Sequence, residues 1–328
     1  MGGIKRMKRY QQYLLILLLV FSLVINASAR GFYKLGDNHV YEVYQRIDLI
    51  NYGGKAKNVV VKIPVFDLEE LPPYQQLVSF KTNPGHLKSL MRKDHSIITI
   101  DQIDGGKTVS LELAYCFSNY TIEHDLRNYF NSTNVKSIYL RPEPEIESDA
   151  PQIIALANKI VAGERLPVER AKKIFEYVSD YLEYRIVEGT SRSALATLER
   201  GYGSCVDFSL LYIALCRAVD IPARFVSGYR FDSKDISGRE TNLEPFGHAW
   251  VEINLPVIGW ITVDPTYLYT YNGEKQVNFD FFGKILNQDR HLFMSYSQEP
   301  KSSVNWQYLT NSPAKVEMRT KLTIRRIR

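Results

Sequence analysis

A chain of 328 residues that is 45% hydrophobic and 12% aromatic can bury a sizeable core and has the length of two domains, which excludes a disordered polypeptide. The formal charge of +5 includes Lys5, Arg6, Lys8 and Arg9 in a leader-like segment; without them 37 basic residues face 36 acidic ones. A nucleic-acid or anionic-membrane partner does not follow from so even a balance.

Those four cations precede an apolar run from Tyr13 to Phe21 that fades through Val24 and Ile25 into Asn26-Ala27-Ser28-Ala29. Small residues at 27 and 29 supply an A-x-A-like cleavage site, so residues 1–29 are expected to be a signal peptide and the rest exported. At about 13 apolar residues the run is short of the roughly 20 a mature spanning helix needs. A membrane association is expected only if it stays uncleaved.

From His39 the pattern is strand after strand: Val40–Ile50, Val59–Ile63, Ile97–Ile100 and Val109–Phe117, separated by turn signals at 51–54 and 104–106. This predicts a β-sandwich domain over 30–118. Polar residues and Arg141-Pro142-Glu143-Pro144-Glu145 then predict a linker over 119–148. Two sequons, Asn119-Tyr120-Thr121 and Asn131-Ser132-Thr133, matter only if the source glycosylates exported proteins.

Two amphipathic helical patterns follow, Pro151–Ala162 and Pro167–Tyr184, each with proline at an early helical position. A third helix is expected after Ser204, and strand-like segments follow over 222–231, 249–253 and 260–263. The second domain, 149–328, is therefore α+β, with helices first and an antiparallel sheet after. Its last segment, Val316–Arg328, gathers Arg319, Lys321, Arg325, Arg326 and Arg328 on what reads as a solvated edge strand.

An exported protein with only Cys116, Cys205 and Cys216 has no disulfide framework. Cys205 and Cys216 fall on one helix about 16 Å apart, too far to bridge. Cys116 lies in an apolar strand, where an inert buried thiol is expected, and Cys216 is expected to be another.

Cys205 is different. Ser204-Cys205-Val206-Asp207 has the S-x-x-D form of a capping box, with Ser204 as N-cap and Cys205 as the first helical residue. Unpaired N–H groups and the positive end of the helix dipole favour a thiolate there. Asp207 is then a structural cap and not an acid catalyst.

A thiolate needs a partner that holds a proton and returns it to a leaving group, commonly histidine. His248 begins a strand that returns through Gly259–Asp264; a hairpin centred on Pro256 would set His248 opposite Asp264. Alternation then puts Ala249, Val251, Ile253, Ile261 and Val263 on one face and His248, Trp250, Glu252, Trp260, Thr262 and Asp264 on the other. His39, His86, His95, His124 and His291 show no comparable partner. Zinc-type spacing is absent, so neither a metal nor another cofactor is expected.

Gly203-Ser204-Cys205-Val206-Asp207-Phe208-Ser209, then Ile221-Pro222 to Gly228-Tyr229, Gly247-His248-Ala249-Trp250, and Gly259-Trp260 to Asp264-Pro265-Thr266 together resemble the transglutaminase-like superfamily. The resemblance runs from about Asp149 to Tyr296. It implies a papain-like core with the nucleophile on a central helix, and acyl transfer through a thioester at Cys205, with His248 and Asp264 completing the triad. The acceptor, amine or water, stays open, so transferase and peptidase chemistry both fit. The Cys205 N–H is a natural oxyanion donor. Tyr184 is the candidate for a second, ahead of Tyr202. Trp250 and Trp260 either line an acyl groove or, more simply, pack beneath helices.

The expectation is an exported thiol enzyme acting on peptide or protein substrates, with the cell envelope as one place to find them. The rival is a non-catalytic module that keeps the fold for binding.

Overall fold

The computed structural model describes residues 32–85, 94–127, 137–186, 192–266, 268–271, 274–296, 305–309, 313 and 315–328. The leader, His86 and the Asn131 sequon lie outside the described residues.

The amino-terminal part is built of β1 (Tyr33–Asn51), β2 (Ala56–Pro64), β3 (Gln75–Asn83), β4 (His95–Ile103) and β5 (Thr108–His124). Next come α1 (Pro151–Ile160), α2 (Pro167–Tyr181), β6 (Glu183–Tyr184), α3 (Ala194–Arg200), β7 (Tyr202–Gly203) and α4 (Cys205–Arg217). They are followed by β8 (Ala223–Phe231), β9 (Thr241–Asn242), β10 (Gly247–Leu255), β11 (Gly259–Val263), β12 (Leu268–Tyr271) and β13 (Glu274–Val277). The chain ends with β14 (Lys284–Ile285), β15 (Arg290–Ser295), β16 (Asn305–Leu309) and β17 (Val316–Arg326).

The fold is α+β, as expected, with antiparallel sheets carrying both halves. One sheet runs β14-β5-β1-β17-β9 with β3 also on β5; a three-stranded sheet β16-β2-β4 faces it. Alternation along β1 sends Tyr41, Val43, Ile47 and Leu49 inward, where they meet Val59, Val61 and Ile63 of β2 and Leu111, Leu113, Tyr115 and Phe117 of β5. Each such side chain contributes roughly 1.5–3 kcal/mol when withdrawn from water.

This sandwich corrects the boundaries expected from sequence. β17 pairs with β1 over eleven residues, Tyr41↔Arg326 to Asn51↔Val316, and β16 pairs with β2. Strands β16 and β17 therefore complete the amino-terminal β unit, and β17 is flanked by β1 and, at Thr323 and Ile324, by β9. Its cations are paired as well as solvated: Lys321 reaches Glu240 at 2.7 Å and Arg325 reaches Glu42. The supposed linker also begins late, because β5 continues to His124.

In the other half α4 is the hub. Residues from Asp207 to Arg217 are all buried, as befits a helix that is apolar nearly all round. Helices α1, α2 and α3 surround it, and the sheet β11-β10-β8-β15 closes the remaining side with Ala249, Val251, Ile253, Ile261 and Val263.

Much of the sheet's far face is covered by the β unit. Trp250, Val226 and Phe293 pack there with Tyr74, Ile122 and Ile285, and Tyr229 and Leu292 join the sandwich core. The fully buried Trp250 thus packs beneath the β unit, not beneath helices. Trp260 is half-buried beside Tyr139 and Arg224.

Strand β15 ends the four-stranded sheet, yet it is completely buried. A buried strand edge must find partners for its outward N–H and C=O groups. Side-chain amides of the β unit supply them: Gln75 donates to Phe293 O at 2.9 Å and accepts from Phe293 N at 2.8 Å, and Asn119 donates to His291 O at 2.9 Å. Asn119 is thereby fully buried, so its sequon is closed to glycosylation in the folded chain.

Candidate active site

Cys205 stands at the start of α4 because the chain before it is tightly folded. Gly201 ends α3 in the left-handed region at φ 73°, a conformation that favours glycine. A side chain at Gly203 would bring its Cβ to 2.3 Å from Asp207 Cβ. Asp207 accepts from Ser204 N at 2.8 Å and Ser204 Oγ at 3.0 Å, while its other oxygen accepts from Arg200 Nη2 at 2.7 Å. Buried and tied in this way, Asp207 fixes the helix start, the structural part expected of it.

His248 opens β10, and its Nε2 lies 2.7 Å from Asp264 Oδ2. The hairpin brings them together in a register two residues from the expected one. Leu255 pairs with Gly259 across the loop 256–258, and Val251 pairs with Val263. A shift of two preserves which face each residue occupies, so the alternation stands. β11 ends at Val263, and Asp264 reaches His248 from just beyond the strand.

With Nε2 on the carboxylate, His248 keeps Nδ1 for the neighbouring Cys205. Burial would raise the Cys205 thiol, but the His248 hydrogen bond and charge, with the Ala249 amide, bring it below its ordinary value. Burial likewise disfavours a charged His248, yet the Asp264 carboxylate and Cys205 lift it to about 9. Asp264, buried, is held well below the usual carboxylate range, chiefly by His248 and then by His291. Both shifts run in the direction that favours a thiolate beside an imidazolium, with the carboxylate behind it.

The other two thiols differ in kind. Burial raises Cys116, and it pushes Cys216 up to about 12. Only Cys205 of the three is partly accessible.

Tyr184 is set beside the nucleophile by a short parallel pair, Tyr184↔Gly203 of β6 and β7. Its hydroxyl neighbours Cys205; burial and the Cys205 charge raise its pKa. Tyr202 instead lies under the Arg185 guanidinium, 4.5 Å from its ring centroid.

Several neighbours escaped the sequence reading. Thr266 donates to Asp264 Oδ1 from its amide at 3.1 Å and its hydroxyl at 2.5 Å. His291 of β15 places Nε2 3.5 Å from Asp264 Oδ2, contrary to the expectation that it has no comparable partner. Arg230 of β8 lies 4.0 Å from the same oxygen and is paired with Asp289. Thr266 sits in the Asp264-Pro265-Thr266 motif, a local signal; His291 and Arg230 meet Asp264 only through sheet order, which spacing does not reveal.

His248, Asp264 and His291 offer possible metal-ligand atoms within 4.8 Å of one another. The carboxylate oxygen they share is engaged by His248, so the group fits proton holding better than a metal.

Residues 154–265 match the family described as the transglutaminase-like superfamily. A protein-glutamine gamma-glutamyltransferase of Pseudomonas aeruginosa is 39% identical over 66 residues, 20% of this chain but 10% of that protein. The matched stretch is thus about a tenth of that relative's length. An uncharacterized Haemophilus influenzae protein is 22% identical over 267 residues, 70% of this chain and 69% of its own. A Cytophaga hutchinsonii structure, proposed to be a cysteine protease, superposes with a TM-score of 0.55 at 18% identity, covering 90% of this chain and 93% of its own, a likeness of fold. Residues 154–265 therefore form a core domain of the transglutaminase-like superfamily.

Proposed function

We propose that the chain is an exported thiol enzyme that opens peptide or protein carboxamides through a thioester at Cys205. The observation that carries this reading is the His248–Asp264 pair at 2.7 Å beside Cys205 at the start of a buried helix, with one partly accessible thiol of lowered pKa. The Cys205 sulfur attacks the carbonyl carbon, forming a C–S bond. As the C–N bond breaks, the His248 proton passes to the leaving nitrogen. An amine or water then attacks the thioester, gives its proton to His248 and releases the sulfur as thiolate.

The Cys205 N–H is the oxyanion donor in this scheme, and the Tyr184 hydroxyl, set beside Cys205 by the β6–β7 pair, is the second group at the carbonyl oxygen. Export is supported by the charged and apolar leader of residues 1–29. Among the described residues no helix is long and apolar enough to cross a membrane.

The test is incubation of purified protein with glutamine-containing peptides, with and without a primary amine, followed by mass spectrometry. Amine addition denotes transfer, a glutamate product deamidation, and backbone cleavage a peptidase. No product from any peptide, beside a Cys205→Ser protein of equal inertness, would favour the binding module instead.

A further inference from the structure

His291 takes no part in the scheme above, yet it is buried against the same Asp264 oxygen that holds His248. Its Nδ1 is 3.0 Å from the Asp289 carbonyl oxygen and its Nε2 is 3.5 Å from Asp264 Oδ2. Nδ1 is thus on a carbonyl, Nε2 is buried beside the carboxylate without a hydrogen bond, and the ring lies T-shaped to Trp250 at 4.7 Å between centroids. The groups around it are Asp264, Asp289, Arg230 of β8 and His248 of β10, whose ring is 6.0 Å away.

The strand bearing His291 is fastened from outside the catalytic sheet. Asn119 of β5 holds the His291 carbonyl, Gln75 of β3 holds both backbone groups of Phe293, and Arg290 donates to Asn119 O at 2.8 Å. A path of direct hydrogen bonds runs from the β unit to the strand, and the side chain on that strand abuts the carboxylate.

We propose that His291 is a positioning residue for Asp264, set in place by Gln75 and Asn119, so that the amino-terminal β unit is part of the active site's support. The inference rests on the reading of Cys205, His248 and Asp264 as the working triad. Its chemistry is geometric: a carboxylate that must hold His248 in one orientation is itself held at Oδ1 by Thr266 and beside Oδ2 by the second imidazole.

Two substitutions separate the two sides of the ring. Glutamine places its amide near the position of Nε2 and retains a donor for Asp264; asparagine places its amide near Nδ1 and retains the Asp289 contact. The readout is the rate of Cys205 alkylation by iodoacetamide against pH in the full chain, with Cys116 and Cys216 as internal controls and circular dichroism as a check of folding. His291→Asn is expected to raise the pH at half-maximal rate by about one unit, and His291→Gln to stay within about 0.3 of wild type. Asn119→Ala, which leaves the ring intact, is expected to move it upward by about half a unit.

A merely structural role, holding the Asp289 turn, predicts the reverse order, with asparagine retained and glutamine impaired; that order would overturn the inference. So would a fast wild-type Cys205 whose pH profile is unchanged in both His291→Asn and Asn119→Ala. A wild-type Cys205 no faster than Cys116 would sink the proposed function itself, a result distinct from either of these.

Discussion

Gln75 is the most informative single side chain outside the candidate site, because it does the work of an absent strand. Truncation to alanine would leave the Phe293 N–H and C=O without the partners now at 2.8 and 2.9 Å, in a place where Gln75 and Phe293 are both buried. An unsatisfied buried group costs about 1–3 kcal/mol, so the pair amounts to about 2–6 kcal/mol, with a trapped water bringing the loss toward the lower end. Urea unfolding followed by tryptophan fluorescence should show a fall of at least 2 kcal/mol. Gln75→Glu sharpens the argument. A protonated carboxyl group can donate to Phe293 O and accept from Phe293 N, as the amide does, whereas a carboxylate can only accept. Its folded pKa is expected above the unfolded value near 4.3, so its stability is retained below about pH 4.3 and lost as pH rises through the folded pKa. A Gln75→Ala protein within about 0.5 kcal/mol of wild type would refute the idea that side-chain amides complete this strand edge.

Other outcomes follow from the same contacts. Removing Arg200, whose guanidinium meets the buried Asp207 at 2.7 Å, by Arg200→Met should cost about 3 kcal/mol in urea unfolding, and the double variant with Asp207→Asn should recover part of it. His248, raised to about 9 from 6.5, contributes about 3 kcal/mol that is fully present below pH 6.5 and lost as pH rises through 9. Asp264, depressed below 3.8, contributes stability above that value which is lost as pH falls. The Tm difference between wild type and Asp264→Asn should therefore be greatest between about pH 4 and 6.5 and shrink above 9, as differential scanning calorimetry can check. Tyr184→Phe should lower kcat on a reactive glutamine peptide by about tenfold to a hundredfold with KM within about threefold, if its hydroxyl serves the carbonyl oxygen.

Much of the half around Cys205 was legible because its signals are local. A serine cap, a glycine approach and an apolar run define the start of α4, and strict alternation from Ala249 to Val263 defines two sheet faces. The hairpin register was two residues away because Pro256 was taken as its centre, whereas the loop is centred on Val257, at φ 68°, and ends against Gly259, at φ 88°. Parity rescued the faces and the proximity of His248 to Asp264. Helix α3 was missed because seven residues are too few for helical periodicity to stand out. The pairing of β17 with β1, and the meeting of His291 with Asp264, join residues far apart in the chain. Such contacts are fixed by topology and by the need to satisfy a buried strand edge, and neither leaves a spacing to read. What covers Trp250 stays hidden for a related reason: alternation identifies its face, but not what lies against that face.

The central claim is that Cys205, alone of the three thiols, is an activated nucleophile paired with His248. Competitive labelling by limiting iodoacetamide near pH 6, quantified by mass spectrometry at each cysteine, tests it directly. The account predicts that Cys205 is labelled at least about tenfold faster than Cys116 or Cys216 in the native protein, and that His248→Ala removes the excess. Equal labelling of all three in the wild type, or an excess at Cys205 that survives His248→Ala, would contradict it.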